Sequence, residues 1–225
     1  MDLVPIVGGA MRLSRLLDRA AAGDPDACGE LFARHRDRLR RLIQYRLDWK
    51  LRGRLDPSDV LQETYLDFVR ALPSYVEKPH TPFFVWLRFI ADRKLLVLHR
   101  HHLGTGMRAA GREISLDGRV SVAASSMTLA ARIVGKFSTP SQAAMRAELR
   151  RIVREALDSM EPLDREVLSL RHYEQLSKSE TAAVLGISQT AATNRFVRAL
   201  DRLRAILEKL RGLIDDADSA GGTPQ

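Results

Sequence analysis

The chain predicts an all-α fold, two small helical domains joined by a flexible linker, on three observations. Apolar residues return at three- and four-residue spacing along most of its length, the period of helices with one buried face. Aromatic residues make up only 6% while Leu, Ala and Arg are abundant, which favours helix over strand. Helix-start signals also recur: Asp24-Pro25, Asp56-Pro57, Thr81-Pro82, Thr139-Pro140 with Gln142, and Ser177 with Glu180. In each, a short polar side chain can bond amides that a helix start leaves open, and proline suits the first helical position because no amide hydrogen is needed there.

Residues 1 to 10, with Pro5, Gly8 and Gly9, read as a frayed end, and a short amphipathic helix follows from Met11 to Ala22. Asp24 opens a helix to about Leu51 whose apolar positions include Leu31, Phe32, Leu39, Leu42, Ile43 and Leu47; its outer face carries Arg34, Arg36, Arg38, Arg40 and Arg41. The helix opened by Asp56 runs to about Leu72, with Leu61, Tyr65, Phe68 and Leu72 on one side and Asp59, Gln62, Glu63, Leu66 and Arg70 on the other. Acidic residues in a first turn suit the helix dipole, and the same face would dock a basic partner. Pro73 to Pro82 reads as a loop, because prolines interrupt the hydrogen-bond ladder. Thr81-Pro82 then starts a helix to about His102 with Trp86, Leu87, Ile90, Leu95 and Leu98 apolar and Arg88, Arg93, Lys94 and Arg100 basic. Residues 103 to 138, glycine-rich and then Ser/Ala-rich, read as a linker with room for one short helix at Met127 to Val134. Thr139 opens a helix to about Ser159, and Glu161-Pro162 another.

Ser177 to Leu203 carries the most specific local pattern. Ser177 and Glu180 form a capping box, Ala182 leaves room for a neighbouring helix, and Gly186 can take the positive φ of a tight turn. Ser188 then caps a longer helix with Ala192, Phe196, Ala199, Leu200 and Leu203 on its buried stripe. Gln189, Thr190, Thr193, Asn194, Arg198 and Arg202 lie opposite, with Arg195 at the edge. Amides and hydroxyls reach base edges in a major groove and arginines reach guanine or phosphate, so this is a helix-turn-helix with a DNA-reading second helix.

Composition sets the outer limits. A net charge of +8 among 225 residues suits a polyanionic partner. No run approaches the eighteen or so apolar residues of a membrane span, and the N-terminus lacks the layout of a signal peptide, so a cytoplasmic protein is expected. The single Cys28 excludes an internal disulfide. His99, His101 and His102 point in different directions around a helix and find no fourth ligand at helical spacing, so no metal and no cofactor is expected. An enzyme acting on nucleic acid would need a convergent acid, base or metal cluster, and only scattered carboxylates are present.

These motifs together resemble the extracytoplasmic-function (ECF) sigma factors of bacterial RNA polymerase, which keep the second and fourth conserved regions. Asp59-Val-Leu-Gln-Glu-Thr followed by Thr81 to Arg100, with Trp86-Leu87 and Ile90-Ala91, is similar to the second; Leu157 to Leu207, with Arg165-Glu166-Val167-Leu168, Leu176-Ser177, Glu180 and Leu185-Gly-Ile-Ser, is similar to the fourth. The resemblance implies a region-2 domain at 11–103, a linker at 104–138 that threads toward the polymerase cleft, a region-4 domain at 139–212 and a disordered tail at 213–225. It also implies docking of Asp59, Gln62, Glu63 and Leu66 on the β′ clamp helices, with the β flap as a second polymerase contact. The −10 element would be melted and read by His80, Trp86, Arg88, Arg93 and Arg100. The −35 element would be read by Ser188, Gln189, Thr190, Thr193, Asn194, Arg195 and Arg198. An anti-sigma factor or other regulator is a further partner of the family. The competing reading is a stand-alone helix-turn-helix regulator, which would bind its operator without polymerase and have no use for the Asp59–Glu63 face.

Overall fold

Helices carry the fold in the computed structural model, which describes residues 4–47, 51, 54–103, 114–116, 119–121, 126–134 and 143–220 and divides into two units, Met1–Val122 and Ala123–Gln225. The Thr139-Pro140-Gln142 cap, most of the 104–138 segment and residues 221–225 lie outside the described residues. No helix among the described residues is long and apolar enough to cross a membrane.

In the first unit α1 (Val4–Ala21), α2 (Pro25–Arg46), α3 (Pro57–Glu77) and α4 (Phe83–Leu103) pack around one core. The expected caps form at two of its helix starts. The Asp24 carboxylate accepts from the amides of Asp26 and Ala27 and from the Arg19 guanidinium, and Asp56 accepts from the Ser58 amide at 2.7 Å. Gly23, at φ +92°, makes the turn that lets α1 end and α2 begin within three residues. Leu31, Leu39, Leu42, Ile43, Phe68, Leu72, Leu87 and Leu95 are fully buried. Each such side chain stabilises the fold by about 1.5–3 kcal/mol relative to exposure.

Several boundaries differ from expectation. Helix α1 starts at Val4, because Pro5 falls in the first turn where its missing amide costs nothing. Helix α2 stops at Arg46, where Leu47 turns extended. Helix α3 passes through Pro73 to Glu77. Pro73 and Val69 lie at the exposed surface, where solvent can satisfy the carbonyl that proline leaves unbonded, while Leu72 and Tyr75 are buried and hold the turn in place. The Thr81 cap is not made: its hydroxyl has no hydrogen-bond partner among the described residues, and its carbonyl instead accepts from the Tyr75 hydroxyl at 2.8 Å. Two short strands, β1 (Ile114–Leu116) and β2 (Arg119–Ser121), pair antiparallel inside the segment read as linker.

The second unit contains α5 (Ser126–Val134), α6 (Ala143–Asp158), α7 (Pro162–Leu168), α8 (Lys178–Leu185) and α9 (Gln189–Ala220). Helix α5, the short helix expected late in the linker, packs on α6 and buries Leu129, Ala130, Ile133 and Val134. Arg165 donates to the carbonyls of Leu157, Asp158 and Met160, closing the end of α6. A single π-helical turn at Ser169–Tyr173 leads to Gln175, whose φ of 57° reverses the chain ahead of α8. Helix α9 continues past the expected end at residue 212 because no proline intervenes before Gly221 and one glycine, Gly212, is tolerated within a helix.

Candidate protein and nucleic-acid interfaces

On α3 the residues Asp59, Gln62, Glu63 and Leu66 follow the i, i+3, i+4, i+7 spacing and form one exposed stripe. Leu66 is 54% exposed, large for a leucine held between polar neighbours. Beside the stripe lies a hollow of about 430 Å³ between α2 and α3, lined by Phe32, Arg36, Ser58, Leu61, Gln62, Tyr65 and Leu66. The sequence had put Arg36 on a face with no assigned role; the hollow joins it to the stripe. Lys94 reaches across from α4 to Asp67 at 2.8 Å and Glu63 at 3.4 Å, and these carboxylates hold its ammonium charged above the usual lysine range. The stripe therefore presents Asp59 outward while Glu63 is shared with an internal cation. Such a face suits a partner offering cations around an apolar contact.

The basic residues of α4 separate into three kinds. Arg93 and Arg100 are exposed, as a DNA-contacting role requires. Lys94 is committed to α3. Arg88 corrects the expectation: its side chain is 0% exposed and donates to Asp92 at 2.6 Å, with Arg46 3.9 Å from the other carboxylate oxygen. Spaced four apart on one helix, Arg88 and Asp92 look like a surface pair, but the inward face carries them into the core, so Arg88 is not part of the exposed basic face of α4. Trp86 is half-buried, stacked on Tyr75 with ring centroids 4.4 Å apart and edge-on to Phe68. One side of the indole is thus structural, and only its remaining edge can meet a base. His80 stands exposed in the loop that Tyr75 pins, its Nδ1 2.9 Å from the Lys78 carbonyl. Sequence reasoning missed Tyr75 because Pro73 placed it in a loop.

The second unit carries the helix-turn-helix in the expected form. The Ser177 amide donates to Glu180 Oε2 at 2.8 Å while the Glu180 amide donates to Ser177 Oγ at 3.1 Å, a complete capping box. Gly186 sits at φ 66° and closes α8. Ser188 Oγ accepts from the Ala191 amide at 3.1 Å and so starts α9; its hydroxyl is a cap before it is a DNA contact. Ala192 and Ala199 are buried, small enough for α9 to lie close against its neighbours. Gln189, Thr190, Asn194 and Arg198 are exposed on the opposite face, and Thr193 is half-buried with its hydroxyl on the Gln189 carbonyl at 2.9 Å. Arg195 is only 24% exposed and turned toward α7, where it pairs with Glu161 and Asp164. Its guanidinium hydrogen bond holds the Glu161 carboxyl below the usual range.

Leu200, expected in the buried stripe, is exposed. With Leu203, Leu207, Leu129, Ile133 and Leu168 it lines an open apolar hollow of about 200 Å³.

Comparison with known proteins identifies the family of the chain. The family described as Sigma-70, region 4 matches residues 150–203, which run from the middle of α6 to the middle of α9. The ECF RNA polymerase sigma factor SigD of Mycobacterium tuberculosis is 32% identical over 193 residues, 86% of this chain and 82% of that protein. The RNA polymerase sigma factor CarQ of Myxococcus xanthus is 30% identical over 194 residues, 86% of this chain and 97% of that one. Among solved structures, CnrH in complex with the cytosolic domain of CnrY matches with a TM-score of 0.51 and 27% identity, over 87% of this chain and 97% of that chain.

Proposed function

The chain belongs to the ECF sigma factors of bacterial RNA polymerase, and from that premise we propose how its two units divide the work. As a sigma factor it directs promoter-specific transcription initiation and is not an enzyme. The first unit is the region-2 domain: the α3 stripe of Asp59, Gln62, Glu63 and Leu66 docks on the β′ clamp helices, and His80, the open edge of Trp86, Arg93 and Arg100 meet the −10 element. The second unit is the region-4 domain: Gln189, Thr190, Thr193, Asn194 and Arg198 of α9 enter the −35 element, and the apolar hollow beside Leu200 offers the β flap a surface. An anti-sigma factor or other regulator is a further partner in this reading, which the complex of CnrH with the cytosolic domain of CnrY supports. With polymerase and promoter DNA as its partners, the chain works in the cytoplasm in this reading.

The observation that carries this reading is the exposed α3 stripe, where acidic residues flank a leucine 54% exposed in a chain of net charge +8. A stand-alone DNA-binding protein has no need of it. The test is run-off transcription with purified core polymerase on a promoter library, with core-enzyme pull-down alongside. The natural chain should select start sites. Asp59→Lys combined with Glu63→Lys should weaken core binding on the order of tenfold or more while the helical circular dichroism is kept, since both residues lie on the surface and Lys94 retains Asp67 as its nearer partner. Undiminished pull-down by the double reversal removes the docking assignment.

A further inference from the structure

Three arginines of α9 fall within eight positions, and their surroundings differ. Arg198 is exposed on the face with Asn194. Arg195 and Arg202, two turns apart, both reach back to α7. Arg195 Nη1 lies 2.9 Å from Glu161 Oε2 and 3.1 Å from Asp164 Oδ1, and Arg202 Nη1 lies 2.9 Å from Asp164 Oδ2. The Asp164 side chain is 2% exposed, whereas the two arginines keep 24% and 49% exposure. One desolvated carboxylate thus spends each oxygen on a different arginine, and the outer sides of both guanidiniums remain within reach of solvent.

We propose that Asp164 is a positioning residue for promoter specificity: a two-point brace from α7 that fixes the roll of α9 and withholds Arg195 and Arg202 from the DNA backbone. Attachment points seven residues apart are separated by roughly 10 Å along the helix axis, enough to resist both rotation and tilt. A contact to phosphate adds affinity on any sequence and carries no sequence information by itself. Holding two cations on a protein carboxylate therefore leaves discrimination to Gln189, Thr190, Thr193 and Asn194, whose side chains reach bases. Glu161 is the weaker arm, because its carboxylate is exposed and screened.

The inference rests on the reading of α9 as the promoter helix, and the test separates the two. Holoenzyme assembled from the full chain and core polymerase selects upstream duplexes from a randomised library, and its binding to the selected and to a scrambled duplex is then measured over a salt series. Asp164→Asn keeps the shape and removes the charge. It should steepen the plot of log affinity against log salt by about one to two units, at roughly 0.9 per phosphate neutralised, and lower the preference for the selected duplex by about tenfold, the size of one lost base-pair discrimination. Arg195→Gln in the otherwise natural chain should leave the slope unchanged, and in the Asp164→Asn background should remove about one unit of the gain. A merely structural loss would lower affinity without steepening the slope. An Asp164→Asn slope that is unchanged or shallower overturns the brace, as does a shallower slope for Arg195→Gln alone, which would put that arginine on phosphate already. If circular dichroism shows Asp164→Asn unfolded, Arg195→Gln decides by the same criterion. Failure of the natural holoenzyme to enrich any upstream sequence overturns the promoter-helix reading itself.

Discussion

Each unit takes arginines that a helical pattern offers to DNA and ties them to an aspartate, but in different settings. In the first, Arg88 and Asp92 are four residues apart on one helix and both are 0% exposed. In the second, Arg195 and Arg202 reach from α9 to Asp164 on α7, and only the carboxylate is shut away from water. A wholly buried pair has little net worth against an apolar replacement, yet is expensive to break from one side, because the surviving charge has nowhere to be solvated. A half-open pair can exchange its partner. The first cluster is therefore part of the fold, and the second is available to function.

The sharpest separation comes from deleting the acid in each. Asp92→Ala should destabilise the first unit by about 3–5 kcal/mol, since it takes the nearest carboxylate from a guanidinium that is 0% exposed. Tryptophan emission during urea unfolding reads this directly, because Trp49 and Trp86 both belong to that unit. Asp164→Ala, by contrast, should cost the second unit less in circular dichroism during unfolding, because both of its arginines keep contact with water, and equal losses at the two sites would erase the distinction. Next in size, Arg198→Ala should reduce DNA affinity of the holoenzyme and make its salt slope shallower by about one unit, the loss of one phosphate contact by its exposed guanidinium. Ser177→Ala should cost the second unit about 1 kcal/mol through loss of the capping box, measured by circular dichroism during unfolding.

Acid gives the smallest and most graded contrast. The amide of Ala27, then the Arg19 guanidinium, holds the Asp24 carboxyl below its ordinary value, and the Ser58 amide does the same for Asp56. A carboxyl depressed by folding adds stability that is fully present above its unfolded value and is lost as pH falls through its folded one. Stability of the first unit should therefore decline as pH drops below about 4, and Asp24→Ser with Asp56→Ser should flatten that decline in the tryptophan signal. The Ser177 hydroxyl that caps α8 does not titrate, so that part of its capping box is indifferent to the same change.

What the sequence made legible was what neighbours along the chain decide. Ser177, Glu180, Gly186 and Ser188 lie within twelve residues, and their hydrogen bonds follow from spacing alone, as do the Asp24 and Asp56 caps. Exposure of the α3 stripe was also legible, because an amphipathic period states which side is wet. Three things were not. Arg88 and Asp92 at i, i+4 spell a surface pair, and only the packing of α4 against α2 shows that they point inward. Asp164 and Arg195 are 31 residues apart, beyond any helical period. Pro73 is a strong local stop overruled by the burial of Leu72 and Tyr75 on either side.

Cys28 has a consequence beyond packing. Its thiol is buried against the Ala20 carbonyl at 3.5 Å, and burial, then the nearby Asp24 charge, pushes it further from ionising. An un-ionised, shielded sulfur is a poor target for peroxide or electrophile. Thiol chemistry is consequently closed to this polypeptide by itself: a thiol-based redox stimulus that alters its output must be sensed by another molecule, and a cysteine engineered at the surface would be the one position a thiol-directed dye could tag.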